Sequence, residues 1–90
     1  LIRMQSSNKY SIIFTSEGKQ HIVSKALTKF EEMLNGKGFL RVHDSHIINL
    51  HHLKGYLKGK GGEIVMSDGS HVPVSVRRKD ALASVLKHPL

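Results

Sequence analysis

Cysteine is absent from these 90 residues, which excludes a small fold stapled by disulfides, thiolate metal sites and cysteine nucleophiles. The absence suits a reducing cytosol, and a cytoplasmic setting is the expectation. Long apolar runs are also missing. Nothing approaches the roughly 18 to 20 residues needed to cross a bilayer, and the opening LIRMQSSNKY has no long apolar stretch of the kind found in a signal peptide. No internal repeat, low-complexity tract or linker interrupts the chain. Acidic residues are scarce: seven Asp and Glu stand against 14 Lys and Arg, leaving a formal charge of +7. An excess of that sign favours polyanionic partners, although ribosomal, membrane-surface and merely basic domains share the same balance. A chain of this length has room for one core.

The pattern along the chain is mainly β. Tyr10, Ile12 and Phe14 alternate with Ser11, Ile13 and Thr15, a turn-forming stretch occupies residues 16–19, and residues 21–23 resume an extended pattern, so a β-hairpin is expected. Leu27, Phe30 and Leu34 then recur on one helical face, which predicts a short helix near residues 25–34 with Ser24 as its N-cap and the Asn35–Gly38 segment as its end. Residues 39–43, 53–58, 63–66 and 71–74 read as further short strands, the last three forming a meander with turns at residues 59–62 and at Asp68-Gly69. Pro73 lacks an N–H, so the last strand belongs at an edge. From Ser75 the period changes, and Leu82, Val85 and Leu86 predict a short C-terminal helix near residues 77–87, closed before Pro89.

Enzymatic constellations do not emerge. There is no G-x-S-x-G elbow, the carboxylates are scattered over turns and helices, and the glycines of residues 59–62 lead into a strand rather than into the helix a phosphate-binding loop requires. Four of the seven histidines, His43, His46, His51 and His52, fall within ten residues. Their spacing is not that of a zinc site, and on a single strand His43 and His46 would point to opposite faces. A packed, hydrogen-bonded His43 is the expectation, with neither a metal nor another cofactor.

The basic groups remain. Arg77, Arg78 and Lys79 stand at the start of the C-terminal helix, where each cation opposes the helix dipole by roughly a few tenths of a kcal/mol, so the triplet suggests a use other than stability. Arginine's planar fork matches guanine O6 and N7, and lysine supplies a point charge for phosphate.

Residues 39–49, FLRVHDSHIIN, together with MSDGSHVPVSVRRKD some twenty residues later, resemble the LytTR family of bacterial DNA-binding domains. The family hallmark is an aromatic or Leu pair, Arg-Val-His, a variable residue, Ser, a bulky residue, two apolar residues and Asn, and residues 39–49 reproduce it without a gap. The resemblance runs from Leu1 onward and implies one LytTR-like domain over residues 1–90, lacking one or two N-terminal strands, with a receiver or sensor domain upstream. It implies a non-enzymatic module that inserts loops of a β scaffold into successive major grooves of double-stranded DNA. As the output half of a two-component transcriptional regulator, it would act as a homodimer on paired sites, with no membrane and no small-molecule substrate.

Carried over residue by residue, the resemblance implies three contact regions: Asn8, Lys9, Tyr10 and Ser11; His43, Asp44 and Ser45; and Ser75, Val76, Arg77 and Arg78. Tyr10, Asp44 and Arg77 are the positions expected to face bases. Asn8, Lys9, Ser11, Ser24, Lys25, Ser45, Arg78 and Lys79 are expected to meet the DNA backbone. The family often carries Arg, Gln or Asn where this chain has Asp44, whose carboxylate could select cytosine, meet no base, or pair with a neighbouring cation. Tyr10 could also be a half-buried strand aromatic. The alternative function is a basic module for RNA or an acidic protein, without preference among DNA duplexes.

Overall fold

A computed structural model describes residues 1–59 and 61–86. Its elements follow in the order β1 (Arg3–Ser7), β2 (Tyr10–Phe14), β3 (Gln20–Val23), α1 (Leu27–Met33), β4 (Phe39–His43), β5 (His46–Asn49), β6 (Leu53–Leu57), β7 (Glu63–Met66), β8 (His71–Pro73) and α2 (Lys79–Leu86), with single 3-10 turns at Leu50–His52 and Val76–Arg78. The strands form a five-stranded sheet, β3-β2-β1-β5-β4, and a three-stranded sheet, β6-β7-β8. Every pairing is antiparallel, so the domain is mainly β with two short helices. Lys60 and the expected helix closure before Pro89 lie outside the described residues.

The larger sheet is covered on both faces. On one, Met4 and Ile47, cross-strand partners, pack against Leu27 and Phe30 of α1. On the other, Ile48 and Val42 join Ile64, Met66, Val72 and Val74 of the smaller sheet region and Leu82 of α2. Adjacent Ile47 and Ile48 therefore serve different cores, as successive strand residues do. Arg3 reinforces the seam between the sheets: its guanidinium stacks 3.8 Å from the Phe14 ring centroid and its Nε donates to Ser70 Oγ at 3.2 Å. Gly62 is fixed by its surroundings, with φ of 80° and the Tyr56 hydroxyl end packed where a Cβ would stand.

The expected hairpin, meander and edge position of Pro73 are present: Ser11 pairs with Val23 and Pro73 with Glu63 alone. Two strands were not foreseen, and two local expectations need correction. Residues 3–7 and 46–49 are strands, and β1 and β5 lie at the heart of the larger sheet. The first helix starts at Leu27, with Ala26 extended at its N-cap position (ψ 150°) and no side-chain cap. The Ser11 hydroxyl donates to Lys25 O at 2.7 Å and the Lys25 N–H to Val23 O at 2.8 Å, which holds Ser24 and Lys25 in a bend outside the helix. The C-terminal helix likewise begins at Lys79, because residues 76–78 take the tighter 3-10 turn.

Ile48 is wholly buried between the sheets, whereas Ile22 on edge strand β3 is 73 % exposed. Ile48→Ala is expected to lower unfolding free energy in urea by about 2 to 5 kcal/mol, and Ile22→Ala to change it by less than about 0.5 kcal/mol.

Candidate nucleic-acid interface

Antiparallel register decides which turns share an end of the sheet. Ser7 pairs with Tyr10 across the two-residue turn Asn8-Lys9, and His43 pairs with His46 across Asp44-Ser45. Because Gln5 stands opposite His46, both turns emerge at the same end, and the Ser6 N–H donates to Ser45 O at 2.9 Å to join them. Val23 opposite Ser11 brings the Ser24-Lys25 bend to that end as well. The fourth piece arrives from the far end of the chain: the Ser75 N–H donates to Val42 O at 2.9 Å, setting the Val76–Arg78 turn beside β4. Four segments distant in sequence thus line one rim.

Each segment has a local reason for its shape. Asn8 adopts φ of 57° and is the only non-glycine residue with positive φ among those described, a conformation its short polar side chain tolerates. The Asp44-Ser45 turn is held from within, since the Ser45 N–H donates to His43 Nδ1 at 3.0 Å. Arg41, its side chain only 12 % exposed, holds the same turn from below. It donates from Nη2 to Asp44 O at 2.6 Å, from Nε to His43 O at 3.3 Å, and from Nη1 to Thr28 Oγ1 at 3.1 Å and Glu31 Oε1 at 2.9 Å. One partly buried guanidinium therefore fastens the turn to α1.

The expected base-facing residues are exposed on this rim. Tyr10 opens β2 with about half its surface in solvent. Arg77 Nη2 lies 2.7 Å from Asp44 Oδ1, and Arg78 adds longer contacts, 3.6 Å to Asp44 and 3.9 Å to Glu31. The hydrogen bond from Arg77, ahead of its charge and those of Arg78 and Arg41, holds the Asp44 carboxyl below its ordinary value. Asn8, Lys9, Ser24 and Lys25 are exposed, while Ser45, Arg78 and Lys79 are partly so. Lys25 reaches back along α1, its ammonium 5.6 Å from the Phe30 centroid and 3.7 Å from Met33 Sδ. Ser11 departs from its expected role: it is fully buried and its hydroxyl is committed to Lys25 O, so it shapes the bend and cannot reach phosphate.

The histidines are also arranged differently from expectation. His43 and His46 do not point to opposite faces. The intervening turn makes them cross-strand partners, with ring centroids 5.4 Å apart in an edge-on contact. Among the described residues no group of three His, Asp or Glu side chains is placed to hold a metal ion. His46 Nδ1 is buried with no hydrogen-bond partner among the described residues, and burial, then His43 and Arg3, push its pKa down to about 4.

Comparison with known proteins decides the family. The sequence pattern described as the LytTr DNA-binding domain matches residues 1–87. This chain belongs to the LytTR family. None of the curated proteins matches it. Among solved structures it is similar to the LytTr DNA-binding domain of a Bacillus cereus protein described as a methyl-accepting/DNA response regulator, with a TM-score of 0.85, 24 % identity, and coverage of 96 % of this chain and 80 % of that one. At that identity the likeness establishes the fold. LytTR domains bind DNA, and in this one the rim of turns carries Lys9, Lys25, Arg77, Arg78 and Lys79. Among the described residues no helix is long and apolar enough to cross a membrane.

Sequence reasoning missed Arg41 as the anchor of the Asp44 turn and Glu31 as its counterion. The alternation of residues 39–43 carried a signal, because Phe39 and Arg41 share a strand face and a charge on an otherwise covered face needs a partner.

A depressed histidine pKa means that the unfolded chain takes up a proton that the folded chain refuses. Stability from His46 is therefore complete above its ordinary pKa of 6.5 and declines as pH falls from there toward about 4, by on the order of 2 kcal/mol. Urea unfolding at pH 7 and pH 4.5 should show this decline, and His46→Phe should make it smaller.

Proposed function

We propose that this LytTR domain is a sequence-specific reader of double-stranded DNA and the output domain of a bacterial two-component transcriptional regulator. The observation that supports the reading best is the convergence of Asn8–Tyr10, Ser24–Lys25, Asp44–Ser45 and Arg77–Lys79 on one end of the five-stranded sheet. The likeness to a response-regulator domain supports the regulatory setting.

The division of labour follows from chemistry. A major groove about 12 Å wide admits a two-stranded β-ribbon, the form in which the β1–β2 and β4–β5 turns are presented. Tyr10, Asp44 and Arg77 face base edges. Asn8, Lys9, Ser24, Lys25, Ser45, Arg78 and Lys79 meet the sugar-phosphate backbone, which fixes register and supplies most of the affinity. No cofactor, small-molecule substrate or catalytic step enters this function. The domain acts in the cytoplasm beneath an upstream receiver or sensor domain, and the full-length protein binds paired sites as a homodimer.

If about six phosphates are neutralised, log K should fall against log salt with a slope of about −5. Arg77→Ala should cost about 1 to 3 kcal/mol and relax preference at one base pair, while Lys25→Ala weakens all duplexes alike. Binding titrations on a duplex selected from random DNA, and on its single-base-pair variants, read both effects. Equal affinity for every duplex would favour an RNA- or protein-binding module instead.

A further inference from the structure

We propose that Asp44 and Arg77 form one composite reading head. Asp44 acts as a positioning residue that presents the Arg77 guanidinium to a guanine, and its second oxygen accepts from the amino group of a neighbouring cytosine or adenine. The inference rests on the DNA-reading function above and says what that site would select.

Isolated ion pairs on a surface hold their side chains weakly, and both members here are largely exposed, at 69 % for Arg77 and 68 % for Asp44. What distinguishes this pair is that each backbone is anchored independently. The Asp44 carbonyl is held by Arg41 at 2.6 Å, and the turn bearing Arg77 is tied to β4 through Ser75 and Val42 at 2.9 Å. Two fixed supports 33 residues apart in sequence meet through a 2.7 Å bond.

The remaining valences suit base edges. Arg77 uses Nη2 toward Asp44, and a guanidinium has five N–H donors, so a fork remains for guanine O6 and N7. Arg77 and Arg78 both approach the Asp44 carboxylate at Oδ1, at 2.7 and 3.6 Å. No hydrogen bond from the described residues reaches Oδ2. A free carboxylate oxygen accepts from cytosine N4 or adenine N6 and is repelled by guanine O6 or thymine O4. Pre-pairing also reduces the rotamer freedom a long arginine gives up on binding, and two guanidinium groups offset the repulsion between Asp44 and phosphate.

The test measures binding of the 90-residue chain and its variants to a duplex recovered by selection from random DNA, to its single-base-pair variants, and to the same duplex with 7-deazaguanine at the guanine that Arg77→Ala ceases to distinguish. Asp44→Ala should lower the preference for that guanine by the same factor as Arg77→Ala, about fivefold to a hundredfold. The double variant should lose no more of that guanine preference. Asp44→Asn, which keeps an acceptor for Arg77, should retain part of the preference and folds with the same turn, because Arg41 grips the backbone carbonyl. In the wild type, 7-deazaguanine should weaken binding as well. Tighter binding of Asp44→Ala to all duplexes with guanine preference intact would make Asp44 a mere repelling charge and overturn the proposal, as would losses of guanine preference that multiply in the double variant. A wild-type chain without preference among duplexes would instead remove the DNA-reading function itself.

Discussion

Met4 stands opposite Ile13 in β2 and Ile47 in β5, and this double register of the central strand is the constraint on which the candidate interface depends. All three side chains belong to or pack on the core beneath α1, so a one-residue slip of β1 would turn Met4 toward the opposite face and move the adjoining turn by about 3.3 Å. The apolar face thus fixes more than stability. It sets the Asn8-Lys9 turn level with Asp44-Ser45, where the Ser6 to Ser45 bond locks the two together. Burying Met4 and Ile47 positions loops that contain neither.

Electrostatics works on top of that frame. Arg77 and Arg78 immediately precede α2, where the helix dipole disfavours cations, and Asp44, Glu31 and the first-turn Asp80 offset the unfavourable placement. Arg41 is the hub: it holds two carbonyls of the β4–β5 turn, a threonine and a glutamate of α1. A planar group with several donors can satisfy such a site, where a lysine ammonium would not span the same acceptors. The consequence is a rim on which Lys9, Lys25 and Arg77 stay exposed while Arg41 holds the turn beneath them.

How much of this was legible varies with how each segment is buried. The β2–β3 hairpin and the β6–β8 meander alternate or carry clear turn residues, and the helical faces at Leu27/Phe30 and Leu82 show their period. β5 was hidden because Ile47 and Ile48 are both buried, on opposite faces of a sheet covered from two sides, which erases the alternation a half-exposed strand shows. β1 was hidden because RMQSS carries a single apolar residue, and Arg3 fills its face by stacking on Phe14. Of the candidate site, the motif around residues 39–49 pointed to the β4–β5 turn, but no local pattern could show that Asp44 and Arg77 meet, that His43 and His46 face each other, or that Ser11 is buried. Those facts come from register between distant segments.

In the proposed function, DNA meets the end of the five-stranded sheet that carries the β1–β2 and β4–β5 turns, the Ser24-Lys25 bend and Arg77. Backbone amide chemical shifts followed by NMR during titration with a selected duplex test it most directly. The largest changes should fall on residues 8–10, 24–25, 44–45 and 76–79, with β6 to β8 little affected. Changes concentrated on the outer face of β6 to β8, or spread evenly over all exposed lysines, would contradict it.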